Sequence, residues 1–176
     1  MINYKVVCFS LVLSLLSALF TAKADVVAAS ADHYTLKHQA VSADSPQQVW
    51  ARLVEPQTWW HPDHTYSGSS DNLSLDSSAG CLWLEQWEGG SVVHGSVLLA
   101  RPGEMLRLNA PFGPLQEMAV SVIWTISLEA TPEGTRVTFT EIANGSQASD
   151  LDKLAPAVDF VKQEAITRLT KAASVE

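Results

Sequence analysis

The chain changes its hydrophobic period once, and that change limits the folds open to it. From Tyr66 to Ile142 apolar residues recur at every second position between closely spaced turn signals, whereas from Leu151 to Leu169 they recur every three or four. The first pattern reads as an antiparallel meander of half-buried strands, the second as one long amphipathic helix. Leu151, Leu154, Val158, Val161, Ala165 and Leu169 form the helix stripe, with charges expected on the opposite side and Ser149 or Asp150 as the cap. A sheet with one apolar face needs a cover, and this helix is the element available.

Before the meander, His33 to Ser42 reads as a strand. Ser45-Pro46-Gln47-Gln48 then carries an N-cap, a proline at the first helical position and a glutamine three residues after the cap. Val49, Trp50 and Leu53 share a helical face, and Pro56 ends that helix or restarts it as a short turn through Trp59-Trp60. Further strands are expected at Leu73 to Leu75, Cys81 to Trp87, Val92 to Ala100, Met105 to Leu108, Glu117 to Leu128 and Thr135 to Ile142. In the longest of these, Met118, Val120, Val122, Trp124, Ile126 and Leu128 fall on one face. Arg101-Pro102-Gly103-Glu104 predicts a type II turn. The expected class is α+β: a strand, two short helices, six more strands and a long helix, about seven strands in all.

Met1 to Lys5 carries one positive charge, and Val6 to Phe20 is an almost unbroken apolar run. Ala22-Lys23-Ala24 follows with the small residues that a signal peptidase accepts, so residues 1–24 read as a cleavable signal peptide and 25–176 as a single domain. The run is short for a bilayer crossing of about 20 residues. The expected location is therefore periplasmic or secreted, with no stable membrane insertion after cleavage. The whole chain has a formal charge of −8. Loss of Lys5 and Lys23 leaves 9 Lys and Arg against 19 Asp and Glu. With no basic cluster, nucleic acid is excluded as a main partner. Cys81 is left alone, so no internal disulfide is available and the residue is expected to be buried and inert.

The sharpest chemical inference comes from Gly89-Gly90. A two-residue turn there pairs Trp87 with Val92, Glu85 with His94, Trp83 with Ser96 and Cys81 with Leu98. A carboxylate beside an imidazole raises the imidazole pKa and fixes its tautomer. The pair is then an exposed ion pair on the outer face, a polar anchor inside, or, with Tyr66, an acid–base group. A three-residue loop would set His94 opposite Gln86 instead. His61-Pro62-Asp63-His64 offers two imidazoles, but Pro62 is expected to spoil a helical i, i+3 geometry, and only folding could add Glu85 or His94. No metal site and no cofactor are expected. No nucleophile elbow, phosphate loop or dinucleotide fingerprint is present. All six Trp lie between Trp50 and Trp124, and each buries about 150–250 Å² when internal. Neighbours on a helix are about 100° apart, so Trp59 and Trp60 are not both expected to point inward. One becomes a candidate gate.

The element order, with Trp59-Trp60-His61-Pro62-Asp63-His64, Gly113-Pro114-Leu115-Gln116 and Gly134-Thr135-Arg136-Val137-Thr138, resembles the START-like superfamily (SRPBCC), which includes polyketide cyclases and the birch-pollen allergen. The similarity spans about Tyr34 to Ala173. It implies a helix-grip fold whose curved sheet wraps the C-terminal helix and leaves a cavity for an apolar ligand. It implies no single reaction. The ligand-facing set expected on this basis is Trp59, Trp60, His64, Tyr66, Trp83 and Glu85, with His94, Val122, Trp124, Val158 and Val161. Glu85, His94 and Tyr66 are the candidate catalytic residues. Three functions stay open: an exported binding protein for a small hydrophobic or amphipathic ligand, a cofactor-free cyclase or dehydratase, and an interaction protein with a filled core. The protein partner, if any, is not specified by the sequence.

Overall fold

The computed structural model describes residues 23–171. Nearly all of the expected signal peptide lies outside the described residues, and no described helix is long and apolar enough to cross a membrane. The fold is α+β, with one antiparallel sheet of eight strands and a C-terminal helix. In chain order these are β1 (Lys23–Ser30), β2 (His33–Ser42), α1 (Pro46–Leu53), β3 (Leu73–Leu75), β4 (Leu82–Trp87), β5 (Gly90–Arg101), β6 (Met105–Asn109), α2 (Pro114–Glu117), β7 (Ser121–Thr131), β8 (Gly134–Asn144) and α3 (Leu151–Thr170). Spatially the order is β1-β2-β8-β7-β6-β5-β4-β3, so the meander from β3 to β8 ends against β2. The eighth strand is β1, which the sequence reading passed over. Val26-Val27-Ala28-Ala29 shows no alternation, and a bulge between Val26 and Ala28 leaves Val27 exposed on this edge strand.

The predicted capping box of α1 is present: the Ser45 hydroxyl accepts the Gln48 N–H while the Gln48 side chain accepts the Ser45 N–H. The strand expected from Glu117 begins only at Ser121. Pro114 at the first position starts a helical turn instead, and Ala119 closes it in the left-handed region at φ 54°. Helix α3 packs on β1, β2 and β8, and meets α1 near its C-terminus, where Arg52 Nε donates to the Leu169 carbonyl at 2.7 Å. Its buried positions are Leu151, Ala155, Lys162, Ala165, Ile166 and Leu169, so a charge sits on the stripe that was expected to be purely apolar.

The β4–β5 hairpin corrects the predicted register. Its loop is Glu88-Gly89, with Trp87 opposite Gly90 and Glu85 opposite Val92, a slip of two that preserves which face each residue occupies. Only Gly89 takes a positive φ, at 89°. Gly90 instead lies in the strand under the Trp87 indole, where a Cβ would come within 2.6 Å of Cζ2. Further along, a bulge at Trp83/Leu84 leaves His94 as the extra residue, so that His94 and the adjacent Gly95 are both buried. A Cβ at Gly95 would lie 2.8 Å from the Asn109 carbonyl oxygen and 2.9 Å from the Ala110 Cβ. Gly95→Ala is therefore expected to lower unfolding free energy by about 1–3 kcal/mol, the usual cost of overpacking. Denaturant titration checks this, and a loss below about 0.5 kcal/mol would place the bulge elsewhere.

Candidate functional site

Trp83 and Glu85 point to the covered face of the sheet, which settles the orientation of β4. There Trp59, Trp60, Trp83 and Trp124 form the centre of the core. Trp83 stacks on Trp124 at 6.0 Å between centroids, Trp60 meets Trp83 edge-on at 5.5 Å, and Trp124 meets Phe139 edge-on at 4.9 Å. Trp59 and Trp60 are both buried, against the expectation that one would turn outward. They follow the 3₁₀ turn Pro56–Thr58 rather than lying on a regular helix, and Trp59 adopts φ −135° and ψ −21°, so the 100° rule does not apply. Each indole N–H has a carbonyl: Leu53 for Trp59 and His64 for Trp60. Trp59 therefore serves as core, and Trp60 as core and cavity wall.

A cavity of about 470 Å³ opens beside this cluster, between α3 and the loops around residues 60–66 and 112–117. Of the expected ligand-facing residues, Trp60, His64, Tyr66, His94, Val158 and Val161 line it. Trp59, Trp83, Trp124 and Val122 belong to the packed interior instead, Val122 in a separate cluster with Tyr34, Leu36 and Leu151. Glu85 stands behind His94 and does not reach the cavity wall.

Glu85 and His94 do meet, although they are not cross-strand partners. His94 lies two residues beyond Val92, the residue opposite Glu85, and a diagonal of this kind is within reach of long side chains. His94 Nε2 is 2.8 Å from Glu85 Oε2. The buried carboxylate also accepts the Tyr66 N–H at 3.0 Å and the Ser67 N–H. Burial pushes the Glu85 carboxyl up, but these hydrogen bonds outweigh it and hold the group below the usual carboxylate value. With Glu85 ionised, Nε2 carries the imidazole proton and Nδ1 is left as an acceptor; Nδ1 is buried and has no partner. Burial dominates the imidazole and lowers its pKa. Glu85 pulls the other way and Lys162 adds to the lowering. Glu85 thus acts on His94 in the direction expected from the sequence, but desolvation outweighs it and leaves the imidazole below its ordinary value. Tyr66 is half-exposed, its hydroxyl donating to the Gly113 carbonyl at 3.4 Å, and its ring is 5.9 Å from His94.

Two cavity residues were missed in the sequence. Lys162 of α3 and Glu141 of β8 are both buried and form an ion pair, with Nζ 2.8 Å from Oε2. The ammonium lies 3.3 Å from the centroid of the Trp124 ring and 4.5 Å from that of Phe112. Glu141 Oε1 accepts the Tyr34 hydroxyl at 2.6 Å, and burial with that carboxylate pushes the phenol pKa up. Desolvation lowers the Lys162 pKa and Glu141 opposes it. Both charges were visible in phase with the burial period: Glu141 alternates with Val137, Phe139 and Ala143, and Lys162 falls one turn after Val158.

His61 and His64 also change meaning. Pro62 begins a 3₁₀ turn, Pro62–His64, with His61 as its cap. Residues i and i+3 eclipse in that geometry, so the proline brings the two rings to the same side, 5.5 Å apart, rather than separating them. Glu164 of α3, and neither Glu85 nor His94, reaches them. Cys81 is half-buried rather than buried, and a hydrogen bond with Asp76 pushes its thiol pKa up, which leaves it a poor nucleophile.

No protein-family model and no curated protein matches the chain. Solved structures share the fold. A Rhodobacter sphaeroides protein is 19% identical with a TM-score of 0.57, covering 84% of this chain and 95% of its own. An uncharacterised Rhizobium leguminosarum protein is 15% identical with a TM-score of 0.55 over 85% and 97% of the two chains. A conserved Enterococcus faecalis protein of unknown function is 13% identical with a TM-score of 0.52 over 89% and 82%.

Two titration outcomes follow. Glu85→Gln is expected to lower the His94 pKa further, because it removes the one group that raises it; an unchanged NMR titration would show that the two are not in contact. His38 is likewise lowered by burial, with Asp159 opposing. Both imidazoles thus bind protons less readily folded than unfolded, so stability is expected to fall as pH drops through the ordinary value of 6.5. In His94→Gln the slope of unfolding free energy against pH should become shallower over that range.

Proposed function

We propose that the protein binds a small amphipathic molecule in the cavity beside α3, with the START-like helix-grip arrangement and export from the cytoplasm forming part of the same reading. One observation carries it. A cavity of about 470 Å³, within the range of about 300–1,000 Å³ usual for ligand sites, has on its wall a buried acceptor without a partner, His94 Nδ1, and a buried ammonium, Lys162 Nζ, that is paired with Glu141 and keeps further N–H groups to donate. Nδ1 accepts and Nζ donates. A ligand end with both an O–H and a second oxygen, such as a carboxylic acid or a hydroxy-carbonyl, satisfies both, while its apolar body lies along Phe112, Val158 and Val161.

A second reading, a cofactor-free cyclase or dehydratase, is favoured by the Glu85–His94 geometry. An ionised carboxylate fixes the tautomer in which Nδ1 is free to take a proton, and Lys162 is available to stabilise negative charge on a carbonyl oxygen. Tyr66, engaged with Gly113, is not aimed at the pair.

Incubation with an unfractionated cell extract followed by native mass spectrometry separates the readings. An intact amphipathic adduct is expected for a binding protein, a chemically altered one for an enzyme, and a protein that stays empty overturns both. With the captured molecule in hand, the double variant Glu141→Gln with Lys162→Met removes both buried charges together, so no lone ion remains inside, and Gln still accepts the Tyr34 hydroxyl. It is expected to weaken binding at least about tenfold, matching the ~1.5 kcal/mol of a hydrogen bond to a charged group.

A further inference from the structure

We propose that His61, His64 and Glu164 form a binding site for one divalent cation of the zinc class at the edge of the cavity. The two imidazoles come from one 3₁₀ turn and the carboxylate from α3. Each carboxylate oxygen faces a different ring: Oε2 is 3.0 Å from His64 Nε2, and Oε1 is 3.6 Å from His61 Nε2. One donor atom from each of the three residues lies within 4.8 Å of the others. Zinc bonds of about 2.0–2.2 Å at tetrahedral angles set donors about 3.3–3.5 Å apart; each imidazole nitrogen is within a few tenths of an ångström of that distance from one carboxylate oxygen, and closing on a single ion draws together three donors that already lie within 4.8 Å of one another.

The arrangement is poorly explained by hydrogen bonding alone. His64 is within bonding reach of Glu164, but 3.6 Å is too long for His61. His61 Nδ1 already accepts the Asp63 N–H at 3.1 Å, which leaves its proton on Nε2 without a close acceptor. When Nε2 gives its lone pair to a cation, that proton moves to Nδ1, the Asp63 N–H gives up Nδ1 as its acceptor, and Asp63 Oδ2, now 3.8 Å away, becomes the acceptor of the new Nδ1–H. A carboxylate on the far nitrogen of a metal-binding imidazole is the usual outer support of such a ligand. All three side chains are about a quarter exposed, at 27%, 23% and 29%, so an ion can reach them from solvent.

The donor set selects the ion. Two imidazoles and one carboxylate suit zinc and its neighbours; magnesium and calcium prefer oxygen donors throughout, and no thiolate joins the group to favour a softer ion. Three protein ligands leave a tetrahedral ion one open position. His64 also borders the cavity, which puts an oxygen of a bound molecule within the chemistry of that position. The ion site itself does not depend on the cavity being used.

The test is a titration of tag-free, metal-stripped protein with Zn²⁺ against a chromophoric chelator, with thermal unfolding recorded in parallel. One equivalent is expected to bind and to raise the Tm. Glu164→Gln, which keeps an acceptor for His64, and His61→Gln, in an accessible loop, are each expected to lose at least about 100-fold in affinity, the upper end of what outer-ligand changes cost. If Glu164→Gln does not fold, His61→Gln decides. Uptake weaker than millimolar, a stoichiometry other than one, or variants within tenfold of the parent would overturn the site.

Discussion

The carboxylate of Glu85 is the constraint on which the rest of the site depends. It is fully buried and ionised, a state that costs several kcal/mol unless each oxygen finds donors. The donors come from two places that are distant in sequence: the backbone N–H groups of Tyr66 and Ser67, and the His94 imidazole at the bulge of β5. The loop leading from α1 must therefore cross above β4 at this point, and the strand must keep its extra residue. Trp60, His61, His64 and Tyr66 owe their places to that crossing. The cavity wall and the histidine pair are both consequences of one buried acid being satisfied.

Helix α3 is held by polar contacts spaced along its length as well as by its apolar stripe. Asp159 bonds His38, Lys162 pairs with Glu141, Glu164 meets His64, and Arg168 donates to the Trp59 carbonyl. Apolar contacts tolerate small sliding and rotation, whereas directional polar contacts do not, so these four fix the helix against β2, β8 and the 59–64 loop. Between them the helix presents Ala157, Val158 and Val161, short side chains that do not fill the space beside Phe112 and Trp60. Room for a guest results from a helix pinned in place where its own side chains are small.

The architecture was legible where it rests on period. The capping box at Ser45, the type II turn at Arg101–Glu104 and the shift from strand to helix after Asn144 all appear as read. The hairpin register was not, because Gly89-Gly90 is compatible with more than one loop placement; the strand resumes at Gly90, under the Trp87 indole, where only glycine fits without a shift. The Glu85–His94 contact survived that error because a slip of two keeps the face, and the bulge then leaves both residues buried on it. Lys162 and Glu141 occupied apolar phases in plain view, but a charge on a stripe is easily assigned to solvent. Glu164 could not be found this way: it is 100 residues from His64 in sequence, and nothing local links them.

The geometry of Lys162 bears most directly on what the cavity is for. A buried ion pair kept only to fix helix register would do best with hydrogen bonds, since an ammonium removed from water is otherwise poorly compensated. Here Nζ has one charged partner, Glu141 Oε2 at 2.8 Å, and is held over the face of Trp124, a contact worth about 2 kcal/mol when desolvated, so N–H groups beyond the one directed to Glu141 remain for a guest. The partnerless His94 Nδ1 lines the same cavity, with its tautomer set by Glu85. An acceptor without a partner beside an ammonium with N–H groups to spare, both on the cavity wall, is explained by a guest that supplies the matching donor and acceptor. The lowered pKa of His94 adds a further selection: a neutral imidazole presents its lone pair across the neutral pH range, so the guest is met by an acceptor rather than by a second cation.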